Sequence, residues 1–253
     1  PGSSNIYYIF SLDMIYAYSE VDMSLNGGFG AITSNKNIII NGNAPSEKQA
    51  ATFHSNGTDV WVVMFDTNTF YAYLINNAGV NPTPVITSIG MAHQYDLGQM
   101  CFSKSGTKIA LGNYETSNIP NISIYDFNKN TGIVTNDVHF ANGASQCYGV
   151  SFSPDETKLY AAVNPSIYTI YQYDITSNNA ATIEASEFLI GGPGLFEIGT
   201  MQLGPDGRIY CTQYNSDFLG VITNPDSAGL ASGFTPSGID LLTGTCNLGL
   251  PNL

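Results

Sequence analysis

Four stretches of this 253-residue chain are versions of one another. They are Thr52-Phe-His-Ser-Asn-Gly-Thr-Asp-Val-Trp-Val-Val63, Cys101-Phe-Ser-Lys-Ser-Gly-Thr-Lys-Ile-Ala-Leu111, Ser151-Phe-Ser-Pro-Asp-Glu-Thr-Lys-Leu-Tyr-Ala161 and Met201-Gln-Leu-Gly-Pro-Asp-Gly-Arg-Ile-Tyr-Cys211. A fifth copy, Pro1-Gly-Ser-Ser-Asn-Ile-Tyr-Tyr-Ile9, begins at the turn. Anchored on Ser3, Gly57, Gly106, Glu156 and Gly207, the copies are 54, 49, 50 and 51 residues apart. A fixed period limits the architecture before any local propensity is weighed, because each unit must bury its apolar face on its neighbours.

Each copy alternates apolar and polar residues on both sides of a tight turn built from Asn-Gly, Ser-Gly or Pro-Asp-Gly, which predicts an antiparallel hairpin. A third strand follows at Tyr16–Tyr18, Phe70–Tyr73, Ile124–Asp126, Tyr171–Asp174 and Leu219–Ile222, and a weaker fourth at Ala31–Ile40, Val85–Ile89, Ile133–Phe140 and Thr182–Ile190. Four antiparallel strands per repeat of about 50 residues describe a propeller blade. The predicted fold is therefore all-β, a β-propeller of about five four-stranded blades in one domain spanning residues 1–253. The repeats fall near 1–45, 46–92, 93–142, 143–194 and 195–245, with a closing strand at 246–253. A helical solenoid is excluded, since no window keeps helical apolar spacing and Gly or Asn interrupts nearly every ten residues.

Two packing expectations follow. Phe53, Phe102, Phe152 and Leu203 each stand four residues before the turn anchor, so all four are predicted as equivalent buried core positions. Tyr125 and Tyr173 fall at inward strand positions as well. The first copy lacks an inner strand upstream, and Cys246–Leu253 has the look of the others, so Leu248–Leu253 is expected beside Ile6–Phe10 as the inner strand of the first blade.

Seven Lys and Arg against 20 Asp and Glu give a formal charge of -13. Such a surface repels phosphate backbones and anionic lipid, which argues against nucleic-acid and membrane-surface partners. No apolar run approaches the roughly 20 residues that a membrane helix needs. Cys101, Cys147, Cys211 and Cys246 are too far apart for a zinc or thioredoxin pair. Full pairing would allow three connectivities, and buried thiols and one disulfide remain open alternatives. His54, His93 and His139 are expected at different heights and radii, and no Gly-x-Ser-x-Gly elbow or phosphate loop occurs.

Pro1–Phe10, Tyr18–Gly28, Gln202–Tyr210, Leu219–Pro225 and Leu248–Asn252 resemble the propeller region of large secreted Bacteroidetes surface proteins, the gliding-associated and adhesin-like cargo of type IX secretion. The resemblance spans essentially the whole chain, through motifs that are turns and strands rather than catalytic groups. It implies an extracellular or cell-surface location and neighbouring domains of a longer chain. In that family a further blade-like segment precedes the equivalent of Pro1 and a sorting domain follows that of Leu253. It therefore implies five blades of a ring of about six.

Repeat phase gathers loop residues of successive blades around one end of the central channel. The candidate ligand-binding residues there are Glu47, Tyr95, Asp96, Tyr148, Glu197 and Tyr214, carboxylates beside tyrosines that suit ring stacking and polar recognition. Solvated turn residues are the plain alternative, Asn and Asp being the default of tight turns. The leading expectation is a non-enzymatic module that binds a protein or glycan, with no required cofactor. The alternatives are a hydrolase resembling six-bladed lactonases, with calcium held by Glu47, Asn113, Asn164 and Glu197, and an assembly subunit pairing through blade edges.

Overall fold

The computed structural model describes residues 2–12, 15–41, 46–93, 96–114, 121–140, 146–163, 169–191 and 197–250. Local turn chemistry sets the pattern. Gly57, Gly106, Glu156 and Gly207 adopt left-handed backbone with φ of 73, 73, 61 and 79°. Each donates its N–H three residues back, to the carbonyls of His54, Ser103, Ser153 and Gly204. The same turn is thus made four times, and each reverses the chain into a hairpin. In the first copy the left-handed residue is Gly2 (φ 77°), not Ser3, so the structural register starts one residue earlier than the sequence alignment placed it.

The strands form five antiparallel sheets in chain order. The first holds β1 (Ile6–Leu12), β2 (Tyr16–Asp22), β3 (Ala31–Ile32) and β4 (Ile38–Asn41). The second holds β5 (Gln49–Phe53), β6 (Val60–Asp66), β7 (Thr69–Asn76), β8 (Gly79–Val80) and β9 (Val85–Ser88). The third is β10 (Met100–Phe102), β11 (Lys108–Gly112), β12 (Ile122–Phe127) and β13 (Val134–Phe140). The fourth is β14 (Cys147–Phe152), β15 (Lys158–Val163), β16 (Thr169–Asp174) and β17 (Phe188–Gly191), and the fifth is β18 (Ile198–Leu203), β19 (Ile209–Gln213), β20 (Phe218–Ile222) and β21 (Phe234–Asp240). This is a β-propeller, its blades running from an inner to an outer strand. One predicted outer strand is partly helical: Thr182–Ile190 begins inside α1 (Ala180–Ala185), because the Asn179 side chain accepts the Thr182 N–H and caps a helical turn before β17 starts.

Alternation of side chains along each strand sends one set to the preceding blade and the other to the following one. Four apolar clusters result, one per blade junction. Tyr16, Val62, Met64 and Tyr73 join the first two blades. Trp61, Phe65, Ile109 and Tyr125 join the second and third. Phe140, Phe152, Leu159 and Tyr173 join the third and fourth, and Tyr160, Ile170, Met201 and Ile209 the fourth and fifth. Among the described residues no such cluster joins the fifth blade to the first. Tyr125 and Tyr173 are fully buried, as expected.

The four supposedly equivalent inner-strand positions are not equivalent. Phe152 is 2% exposed but Phe53 is 60% exposed, while Phe102 and Leu203 are half-buried. The inner strand of a blade packs on the blade before it. Phe53 faces the first blade, where β1 is bonded only to β2 among the described strands and no inner strand stands in front of the ring. The described part of the predicted closing strand, Leu248–Leu250, lies against the start of β18. The Leu248 carbonyl accepts the Thr200 N–H at 2.8 Å and the Thr212 hydroxyl at 3.0 Å, and the Leu250 N–H reaches the Thr200 hydroxyl at 2.9 Å. The start of the tail therefore meets β18 as the start of one inner strand meets the next, and among the described residues it forms no ladder with β1. Residues 251–253 lie outside the described residues.

Inner strands approach so closely at their starting ends that glycine is required. A Cβ on Gly149 would stand 2.2 Å from the Gly199 carbonyl oxygen, and one on Gly199 2.2 Å from that of Leu248. All four cysteines are free. Burial pushes the thiols of Cys101, Cys147 and Cys211 up, that of Cys101 to about 12, which keeps them protonated and unreactive. No helix among the described residues is long and apolar enough to cross a membrane.

Candidate functional site at the channel mouth

The inner strands enclose a cavity of about 1150 Å³ that runs along the propeller axis and spreads toward β1. Its wall at the starting ends of these strands carries Glu47, Gln49, Gly98, Gln99, Tyr148, Thr200 and Leu250.

Backbone contacts fix this rim. The Glu47 N–H donates to the Asp96 carbonyl at 3.0 Å, and its carboxylate accepts the Gly98 N–H at 2.7 Å. Beside it the buried Lys48 ammonium donates to the Leu97 carbonyl at 2.8 Å. Together they tie the second blade to the connection that enters the third. Gln99 then spans the channel wall. Its side-chain oxygen accepts the N–H groups of Val150 (3.0 Å) and Met201 (2.9 Å), and its amide nitrogen donates to the Met201 carbonyl at 2.7 Å. One amide thus holds inner strands of three blades.

Tyr148 stands at the centre of the acidic side. Burial first, then the charge of Glu47, a hydrogen bond to that carboxylate and the charge of Glu197, pushes its phenol well above the usual tyrosine range. The ring therefore stays a neutral donor with an apolar face, flanked by two carboxylates. Gln49 adds a buried side-chain oxygen with no hydrogen-bond partner among the described residues. A half-filled polar wall of this kind is a place where water or a polar ligand completes the bonding.

Of the residues singled out from sequence, the structure brings together Glu47, Tyr148 and Glu197. Asp96 touches the group through its carbonyl but its side chain is exposed, and Tyr214, also exposed, is linked by its N–H to the Glu197 carbonyl at 2.8 Å. Tyr95 lies outside the described residues. In the alternative calcium set, Asn164 also lies outside them, and Asn113 is not on the channel wall. Asn113 is buried on the β11 face that packs against the second blade, where neither of its amide atoms has a hydrogen-bond partner among the described residues. No three His, Cys, Asp or Glu side chains converge as a metal-binding group among the described residues. Gln99 was not anticipated. Its only signal was a long amide at a position where the next copy has Gly149 and the last has Thr200.

The histidines do not stand wholly apart. His54 packs on Trp61 at a hairpin turn, but the charge of His139 reaches His93. Burial, followed by the charge of Lys48, holds His93 down to about 4 against an ordinary 6.5, with Asp137 opposing and His139 adding to the depression. The unfolded chain therefore binds a proton that the folded one refuses. The contribution of the neutral ring to stability is complete above pH 6.5 and is lost as the pH falls toward 4. The melting temperature is expected to drop across that interval, and His93→Gln to flatten the slope. An equal slope in both proteins would show that other groups carry the acid response.

No protein-family model matches the chain, and no curated protein matches it. Solved structures do. A putative 6-phosphogluconolactonase from Bacteroides uniformis aligns with 98% of this chain and 84% of its own at 14% identity, TM-score 0.53. The periplasmic gluconolactonase of Pseudomonas aeruginosa aligns over 90% and 68% at 10% identity, TM-score 0.55. A chain of a nidogen/laminin complex aligns over 90% and 74% at 11% identity, TM-score 0.52. At these identities the likeness concerns the propeller fold.

Proposed function

We propose that this propeller is a non-catalytic binding module that takes a polar, ring-bearing ligand such as a glycan at the channel mouth. The observation that carries this reading is Tyr148, a neutral phenol on the cavity wall between Glu47 and Glu197. An aromatic face with carboxylate acceptors at its edge is what stacking on a sugar ring and bonding its hydroxyls require. Action at a cell surface, as part of a longer secreted protein, rests on the resemblance of its repeats. A glycan array followed by titration of the best binder tests the site. Tyr148→Ala is expected to weaken binding at least tenfold with the melting temperature little changed. Undiminished binding by that variant would move the site away from the mouth.

A second reading is hydrolysis of a lactone. It is favoured by the two carboxylates flanking one phenol, and two of the similar structures are a putative 6-phosphogluconolactonase and a periplasmic gluconolactonase. Turnover of gluconolactone that is abolished by Glu197→Gln and by chelator would establish it and displace the binding module.

A further inference from the structure

We propose that the channel mouth selects a positively charged glycan, an oligosaccharide of amino sugars whose ring amines are free and protonated. The inference rests on the binding reading above and names the charge that its ligand carries. Strand direction divides the loops of the propeller between two ends. The connections into each inner strand and the loops between second and third strands lie at the mouth, and the hairpin turns lie at the opposite end. Charge is not shared equally between the two. Among the described residues Glu47, Asp66, Asp96, Glu197, Asp217 and Asp240 place six carboxylates at the mouth end, with Asp96, Asp217 and Asp240 exposed and the others half-buried.

The basic residues are elsewhere. All seven Lys and Arg are among the described residues. Lys104, Lys108, Lys129, Lys158 and Arg208 stand at the turn end, and Lys36 lies between the outer strands β3 and β4. Three of them meet carboxylates of their own blades there: Lys108 and Asp126 at 2.8 Å, Lys158 and Asp174 at 3.6 Å, Arg208 and Asp206 at 3.6 Å. Only Lys48 belongs to the mouth, and it is fully buried with its ammonium on the Leu97 carbonyl. Solvent at the mouth therefore meets carboxylates and no Lys or Arg. Negative groups around a concave, low-dielectric opening focus their field into it, which draws cations in and turns acidic glycans away.

The form of the cation follows from the spread of these groups. Among the described residues no three His, Cys, Asp or Glu side chains converge on one point, so the rim is not shaped around a single metal ion. Separated carboxylates suit a ligand with several separated positive charges. Tyr148 then favours charges carried on rings. A sugar ring can stack on the phenol while an ammonium attached to that ring meets Glu47 beside it and gains from the aromatic face. Carboxylates only accept hydrogen bonds and an ammonium only donates them, and the buried Gln49 oxygen adds one more acceptor without a partner among the described residues. N-acetylation of the amine removes the charge and turns a carbonyl acceptor toward these acceptors. The free amine is therefore the matching form.

Calorimetric titration with a tetramer of β-1,4-linked glucosamine, and with the same tetramer fully N-acetylated, tests this at a mildly acidic pH where the amines are charged. The free-amine tetramer is expected to bind at least about tenfold more tightly, and the advantage to shrink as salt is raised to about 0.5 M. Glu197→Gln and the exposed Asp96→Asn, each checked for an unchanged melting temperature, are expected to weaken the free-amine tetramer severalfold and leave the N-acetylated one unaffected. Tyr148→Ala should weaken both. Equal affinity for the two tetramers, or binding of neither, would overturn the proposal. So would tighter binding of an oligolysine peptide, which would mean that charge without a sugar ring selects the partner. The channel-mouth reading itself falls only if Tyr148→Ala leaves every glycan binder undiminished.

Discussion

Phe152→Ala is expected to lower the stability of the fold by about 3–5 kcal/mol, and Phe53→Ala, at the same repeat position, by no more than about 0.5 kcal/mol. The difference comes from what stands in front of each ring. Phe152 packs with Phe140, Leu159 and Tyr173 in the junction between the third and fourth blades. Removing it leaves a cavity among side chains held by two sheets, which cannot collapse to fill it. Phe53 faces the junction with the first blade and is 60% exposed, with no inner strand among the described residues to cover it, so the truncated residue gives up little burial. Urea unfolding of both variants measures the contrast. Comparable losses would mean that Phe53 is covered in solution.

The hairpins were legible because their determinants are local. An Asn-Gly or Pro-Asp-Gly turn between alternating strands fixes its own geometry, and the left-handed residues at Gly57, Gly106 and Gly207 are the ones the spacing marked. Glu156 takes the same conformation without being glycine, and only its phase revealed it. What could not be read depends on neighbours. Nothing in the residue Phe53 distinguishes it from Phe152, because its exposure is decided by an inner strand that the first blade lacks among the described residues. The helical turn at Ala180–Ala185 was hidden for a related reason. Its outer-strand position tolerates either conformation, and one Asn179 cap decides.

The site divides along the same line. Glu47, Tyr148 and Glu197 converge because each sits at a fixed phase of a rigid repeat, which sequence counting captures. Asn113 belongs to the other set of loops, seven residues past its turn glycine at the top of β11, and strand alternation turns its side chain into the blade junction instead of the channel. Predicting loop residues by phase alone ignores this parity, and Asn113 shows its cost.

Gln99→Leu is expected to destabilise the propeller by on the order of 2–4 kcal/mol, although Gln99 is a half-buried polar residue on a channel wall. The side chain satisfies the N–H groups of Val150 and Met201 and the carbonyl of Met201 at once. Leucine of similar size leaves two donors and an acceptor facing one another across an apolar plug. Each orphan costs roughly 1–3 kcal/mol, and the lower end applies because the cavity lets water reach part of the wall. Gln99→Glu separates this account from simple packing. Its carboxylate can still accept both N–H groups, but it turns an acceptor toward the Met201 carbonyl and adds charge beside Glu47. The new carboxyl should therefore hold its proton above the usual glutamate range. The variant should approach wild-type stability as the pH falls toward 4, where the protonated group can donate to Met201, and lose it as the pH rises. Chemical denaturation of both variants at several pH values reads this directly. If Gln99→Leu is near neutral, or if Gln99→Glu is insensitive to pH, the three blades are held at the channel by their glycine-mediated contacts, and the Gln99 bonds add nothing to them.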